Sequence, residues 1–147
     1  MVATQQSEEL SAAEALRLLG GVPFGRVIFT SRALPAVRPV RHVVSDGQIV
    51  IAAGPELVPG PARAQSRPGS DVIVAYEADQ LDSTGSTGWS VVVIGRARPV
   101  SDPAERARYR AMLPRLGGPD QIVAISVDVI SGFRMPGPRD QRVTAGT

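Results

Sequence analysis

The chain has 147 residues, a net charge of +2, 43% hydrophobic and 20% charged residues, no cysteine and one histidine. That composition belongs to one globular domain long enough to bury a core, and it excludes a disulfide scaffold and a zinc centre built on Cys and His. All 16 basic residues are Arg, so Schiff bases, lysine nucleophiles and lysine phosphate clamps are excluded, and an anion must be held by Arg, backbone N–H groups or hydroxyls.

No apolar run approaches the roughly 18–20 residues that span a bilayer, so no membrane role is expected. No basic block is long enough to read as a nucleic-acid arm. The start, MVATQQSEEL, is polar and acidic rather than secretory. Cytoplasm is the default location.

Residues 1–9 read as a flexible N-terminus, residues 10–135 as one domain and residues 136–147 as a flexible tail. Ser11-Ala12-Ala13-Glu14 fits a capping box with Leu10 as its staple, which predicts a short amphipathic helix ending at Gly20-Gly21. Gly25 to Thr30 is a first strand and Ala36 to Val44 a second. Pro39 within the second removes a ladder donor and places that stretch at an edge or bulge. Ser45-Asp46-Gly47 is a hairpin turn, and Gln48 to Ala53 is the third strand. The stretch 54–70 holds four prolines and three glycines. It reads either as a surface linker or as a functional loop.

Asp71 to Ala78 is a fourth strand and Asp79 to Thr87 a polar loop. Gly88 to Val100 is the long fifth strand. At period two it sets Trp89, Val91, Val93, Gly95 and Ala97 on one face, and Ser90, Val92, Ile94, Arg96 and Arg98 on the other. Its first half is apolar on both faces, and its second half alternates small residues with Arg. It is about twice as long as a typical strand of roughly 5–6 residues, so it is expected to serve two neighbours in turn and to bend at Gly95. Asp102-Pro103 starts a helix that runs to about Leu113. Gln121 to Val127 is the sixth strand, and Val129 to Met135 continues it or packs beside it. No strand–helix alternation points to a parallel sheet. The fold class is α+β, mainly β: a small bent antiparallel barrel with an N-terminal helix and a helix between strands five and six.

Few motifs carry chemistry. There is no Walker loop, no GxGxxG and no GxSxG elbow around Ser90. His42, within a strand, reads as a satisfied core or edge histidine more readily than as a catalytic one. Glu77 and Asp79 read as a solvated strand end, and Trp89 as core or interface.

The order of the pieces is more specific. PAVRPV followed by an Asp-Gly hairpin, then Tyr76-Glu77-Ala78-Asp79 followed by GWSVVVIGRA, resembles the pyridoxamine 5'-phosphate oxidase-like family of FMN-binding split barrels, in particular a short bacterial branch. The resemblance covers about Leu10 to Met135. It implies a six-stranded Greek-key split barrel, a homodimer, and a flavin, FMN or a deazaflavin, in each interface groove. It places Arg38, Pro39, Val40 and Arg41 along the isoalloxazine ring. Ala52, Ala53 and the following loop, with Arg63 and Arg67, face the ribityl-phosphate. Trp89 and Ser90 reach in from the neighbouring subunit.

The chain departs from that pattern. Members often have Thr or Ser at the end of the third strand and Lys in the loop, whereas this chain has Ala52-Ala53-Gly54 and only Arg63 and Arg67 as loop cations. Arg41 stands where a small polar residue is common. Two readings follow. One is a flavin-dependent oxidoreductase with Arg38 and Arg41 as charged partners of the ring. The other is a non-catalytic split-barrel dimer that binds a ligand or serves a stress response, having lost the phosphate clamp. The resemblance assigns no catalytic residue in either.

Overall fold

A computed structural model of the chain describes residues 7–58 and 72–135. Arg63, Arg67 and most of the proline-rich loop lie outside the described residues, as do the expected termini apart from residues 7–9. The described elements are β1 (Glu8–Glu9), α1 (Ala12–Gly20), β2 (Phe24–Ser31), β3 (Leu34–Ser45), β4 (Gln48–Ala53), β5 (Val72–Leu81), β6 (Gly88–Pro99), α2 (Pro103–Met112), β7 (Gln121–Ile125) and β8 (Val129–Met135).

All eight strands join one antiparallel sheet in the order β1-β8-β6-β5-β2-β3-β4-β7, and a further β6–β7 pairing closes it. The ring is therefore six-stranded, made of β2 to β7. β8 and β1 lie outside it, added to the free edge of β6. Residues 129–135 thus form a strand of their own and do not prolong β7. Residues 8 and 9, within the expected flexible terminus, pair with Arg134 and Phe133.

β6 carries the architecture. One edge pairs with β5 over its whole run, from Gly88↔Leu81 to Ala97↔Val72. The other edge takes β8 from Gly88 to Ile94 and β7 from Ala97 to Pro99. Gly95 is the hand-over point, as its position in the sequence predicts. A Cβ built there would lie 1.6 Å from the Ser126 carbonyl oxygen. The crossing chain is bonded on both sides of it, Ser126 N–H to Arg96 carbonyl at 3.0 Å and Asp128 N–H to Ile94 carbonyl at 3.1 Å. Only a residue without a side chain lets the two backbones approach this closely.

The inward set of β6 is Trp89, Val91, Val93 and Ala97, all buried with Val27, Val74, Tyr76, Ile49, Ile51, Val123 and Ile125. α1 closes one end of the barrel with Ala15 and Leu19. Its Ser11 hydroxyl accepts the Glu14 N–H at 3.2 Å, as the capping-box pattern requires. β4 is buried on both faces. Ile49, Ile51 and Ala53 point into the barrel, while Val50 and Ala52 meet Tyr109 and Leu113 beneath α2. That explains why QIVIAA is apolar throughout rather than alternating.

β5 runs three residues beyond its predicted end, to Leu81, because Asp79, Gln80 and Leu81 find partners in Ser90, Trp89 and Gly88. The polar loop shrinks accordingly. Asp82 organises it, accepting from the Ser86 N–H at 2.9 Å and the Thr84 hydroxyl at 2.8 Å. Those bonds, Thr84 foremost, hold its carboxyl below the usual range.

Candidate functional site

The site is created by a divergence between two paired strands. β3 pairs with β4 only from His42 to Ser45. From Leu34 to Arg41 it keeps β2 on one side, through Arg41↔Phe24 and Pro39↔Arg26, and among the described residues has no strand partner on the other. β4 meanwhile turns to β7, pairing Ala52 with Ile122 and Ala53 with Gln121. Pro39, which cannot donate to a ladder, stands where one edge of its strand is free.

Two adjoining cavities fill the gap. One, of about 330 Å³, is lined by Phe29, Arg38, Val40, Ala53, Gly54, Glu56 and Leu116 among others. The second, of about 340 Å³, is lined by Phe24, Pro39, Val40, Arg41, Ala52, Leu113, Pro114 and Leu116. Pro39, Val40 and Leu116 belong to both. The result is a trough with an apolar floor, an unpaired strand edge and arginines at its rim. Such a shape fits a planar heteroaromatic ring whose edge atoms need backbone donors and acceptors.

Six residues expected at a cofactor site, Arg38 to Arg41 together with Ala52 and Ala53, therefore come together. Trp89 and Ser90 do not line either cavity. Trp89 packs within the barrel core. Ser90 is half-buried on the outer face, opposite Asp79 and Phe133. Arg63 and Arg67 lie outside the described residues.

Residues not read from the sequence complete the trough. Glu56 faces Arg38, with Oε1 3.7 Å from Nε, and Arg38 also donates to the Val37 carbonyl at 2.9 Å and lies 5.8 Å from the Phe29 ring centre. Leu113 to Pro119, the link after α2, folds over the split. It is fixed by Asp120, which accepts from Arg110 at 2.6 Å and from the Leu116 N–H at 3.1 Å. The apolar Leu116 between Pro114 and Gly117-Gly118 is the only sequence signal of that role.

His42 sits behind this wall. Its side chain is buried and satisfied. The Leu19 carbonyl can only accept, so Nε2 carries the proton and donates at 2.8 Å. Nδ1 then accepts from the Tyr76 hydroxyl at 2.6 Å. Burial pushes the imidazole below its ordinary range against the Leu19 bond, and burial, helped by Glu77, pushes the Tyr76 hydroxyl up. A neutral, doubly bonded histidine is a core element, as the sequence reading favours. Glu77 and Asp79 are not simply solvated, since both pair with Arg26, at 3.0 and 3.3 Å. Burial and the neighbouring Asp79 raise the Glu77 carboxyl despite that cation. Among the described residues no cluster of His, Cys, Asp and Glu could hold a metal, and no helix is long and apolar enough to cross a membrane.

Together these features define a split barrel with a ligand trough where β3 and β4 part. The family model for pyridoxamine 5'-phosphate oxidase matches residues 11–134, and the chain belongs to that family. It is 46% identical over 131 residues to the uncharacterized protein Rv0080 of Mycobacterium tuberculosis, covering 86% of this chain and 84% of the relative. Among solved structures it is similar to an FAD-binding protein from Mycobacterium smegmatis, at 28% identity and a TM-score of 0.64, over 90% of this chain and 99% of that one. A candidate pyridoxamine 5'-phosphate oxidase from Corynebacterium glutamicum is 26% identical with a TM-score of 0.67, over 90% and 100% of the two chains. The expected six-stranded barrel and family are thus shown.

Proposed function

We propose that the chain binds a flavin in the trough along Arg38 to Arg41 and acts as a flavin-dependent oxidoreductase. The observation that carries this reading is the unpaired edge of β3 facing an apolar trough, in a chain of this family. A bound flavin supplies hydride or electron transfer. The chain's part is to orient the ring against β3, keep water from its floor with Val40, Leu113 and Leu116, and set Arg41 at its rim. The description of the Mycobacterium smegmatis relative as FAD-binding adds FAD to FMN and a deazaflavin as candidate cofactors.

A second copy of the chain is part of the proposal. Ile73, Ile94, Val129 and Phe133 are exposed on the outer face of β5, β6 and β8. Direct pairing sets Ile94 beside Val129 and Ser90 beside Phe133 on that face. An apolar face of this kind is suited to two-fold association, which would bring residues of a partner to each trough.

The Arg38–Glu56 pair supports the other reading, a non-catalytic ligand-binding dimer, because a carboxylate stands beside Arg38 at the end of the trough lined by Ala53. The absorption spectrum of the purified protein from 300 to 550 nm, followed by titration with FMN, FAD and a deazaflavin, separates the two. A flavin band or saturable binding is expected. A colourless protein indifferent to all three overturns the oxidoreductase reading. Light scattering at micromolar concentration tests the dimer, and a monomer mass contradicts it.

A further inference from the structure

The cavity at the Ala53 end of the trough holds two opposite charges. Among the described residues its lining has one cation, Arg38, and one anion, Glu56, and the rest is apolar side chain or glycine. Both charges are fixed from within the chain. The Arg38 guanidinium donates from Nη1 to the Val37 carbonyl at 2.9 Å, lies over the Phe29 ring and turns Nε to Glu56 Oε1 at 3.7 Å. Glu56 is set by the chain as it leaves β4. Ala53 is still paired with Gln121. The chain then turns back at once, closed by the Leu57 N–H on the Gly54 carbonyl at 3.2 Å. Pro55 takes the second position of that turn, where its fixed φ is suited. Leu57 and Val58 are buried beyond it, and the Gln121 side chain donates to the Val58 carbonyl at 3.1 Å. The Glu56 carboxylate lies over Gly54, in space that a side chain there would need.

A phosphate entering this cavity meets a carboxylate and finds the guanidinium beside it already paired. A hydroxyl fits better, because it can donate to Glu56 and accept from Arg38. We infer that the Arg38–Glu56 pair makes this end of the trough selective for an uncharged, hydroxyl-bearing ligand end and against a phosphate. The inference rests on the trough being the flavin site, and it names the form of flavin that suits it. The ring and the ribityl hydroxyls supply the affinity, and a terminal phosphate adds none. Glu56 is thus a specificity-determining residue. Ala52, Ala53 and Gly54 bring no side-chain hydroxyl to hold a phosphate against its repulsion. Both side chains of the pair are partly exposed, so solvent screens that repulsion to a moderate factor.

Riboflavin and FMN differ only by the phosphate, so the ratio of their affinities isolates it. In the wild type FMN binds no more tightly than riboflavin. Glu56→Gln keeps the size of the side chain and removes its charge. It raises the FMN-to-riboflavin affinity ratio by roughly tenfold, with riboflavin affinity held within about twofold. Glu105→Gln, on the exposed surface of α2, makes the same change in net charge and leaves the ratio unaltered. An unaltered ratio in Glu56→Gln overturns the inference, and so does a wild type that binds FMN about tenfold more tightly than riboflavin. A second arm needs no flavin. Inorganic phosphate is titrated while the Arg38 Nε–H resonance is followed by NMR. The resonance should stay in place in the wild type and shift saturably in Glu56→Gln. An equal shift in both, or none in either, overturns the inference. If both flavins fail to bind every variant while phosphate reaches Arg38 only in Glu56→Gln, the flavin reading falls and the selectivity stands.

Discussion

His42 and Tyr76 share a buried hydrogen bond of 2.6 Å, and the room for it is made by Gly25, where a Cβ would lie 2.4 Å from the Tyr76 hydroxyl oxygen. The pair lies between α1 and the barrel wall, and its second bond ends on the Leu19 carbonyl. Both ring nitrogens are used by the neutral imidazole. The imidazolium would have to keep a proton on Nδ1 facing Tyr76.

That arrangement sets a pH dependence. Burial lowers the His42 pKa below its ordinary 6.5. Above pH 6.5 the folded and unfolded chains both hold a neutral histidine, and this group leaves stability flat. Below it the unfolded chain takes up a proton that the folded chain refuses, so stability falls until the lowered folded value is reached. Thermal denaturation between pH 8 and pH 5 should show this loss in the wild type and lose the component in His42→Gln. Parallel pH curves for the two would contradict it. Tyr76→Phe leaves Nδ1 without its donor and should cost about 1–3 kcal/mol.

Gly95→Ala should be among the most damaging single changes. Its Cβ would meet backbone at the Ser126 carbonyl rather than a side chain that can move aside. The crossing from β7 to β8 must then lift off β6. A loss of about 3 kcal/mol is expected in urea denaturation. Ala97→Gly, two residues on, should cost about 1 kcal/mol.

The β2–β3 hairpin carries strain that substitution can remove. Its two turn residues, Arg32 and Ala33, have φ of 52° and 64°, between the paired Ser31 and Leu34. A two-residue turn with both residues left-handed favours Asn-Gly. The double substitution Arg32→Asn with Ala33→Gly should raise stability by about 1 kcal/mol, since each non-glycine left-handed residue costs about 1–2 kcal/mol. An unchanged or lower melting temperature would count against it.

Leu116 offers a way to close the trough without unfolding the barrel. It lines both cavities yet is 52% exposed. Leu116→Trp should abolish saturable flavin binding while changing stability by no more than about 0.5 kcal/mol, as surface substitutions do. Retained binding at wild-type affinity would place the ligand elsewhere.

Much of this architecture is written in local pattern. The two-residue alternation of Trp89 to Arg98 separates core from outer face without error, and Pro39 marks the free edge that becomes the trough. The Asp46-Gly47 turn appears where its residues require, with φ of 51° and 73°. What periodicity could not convey is contact between distant segments. Glu56 meets Arg38, and Leu116 covers Val40, only because β3 and β4 part company and the chain after α2 returns over the gap. An isolated apolar Leu116 between Pro114 and Gly117-Gly118 is the one local sign of that return, and it does not say which strand the link covers. The extension of β5 to Leu81 was hidden for the same reason. Asp79 and Gln80 have poor strand propensity, and their pairing with β6 overrides it.

The hand-over at Gly95 also bears on the order in which the molecule can assemble during synthesis. β2 to β6 are made first, and β3, β4, β5 and β6 each pair with a strand already present, β5 with β2 rather than with β4. Until residue 125 emerges, the ring lacks the strand that joins β4 to β6. On the ribosome the domain is therefore an open curl with two bare edges, and those edges invite wrong pairing with other chains. The segment 121–135 then seals the curl and covers the rest of β6 in one continuous pass, from Pro99 back to Gly88. A nascent chain halted before that segment should be the aggregation-prone form of this protein.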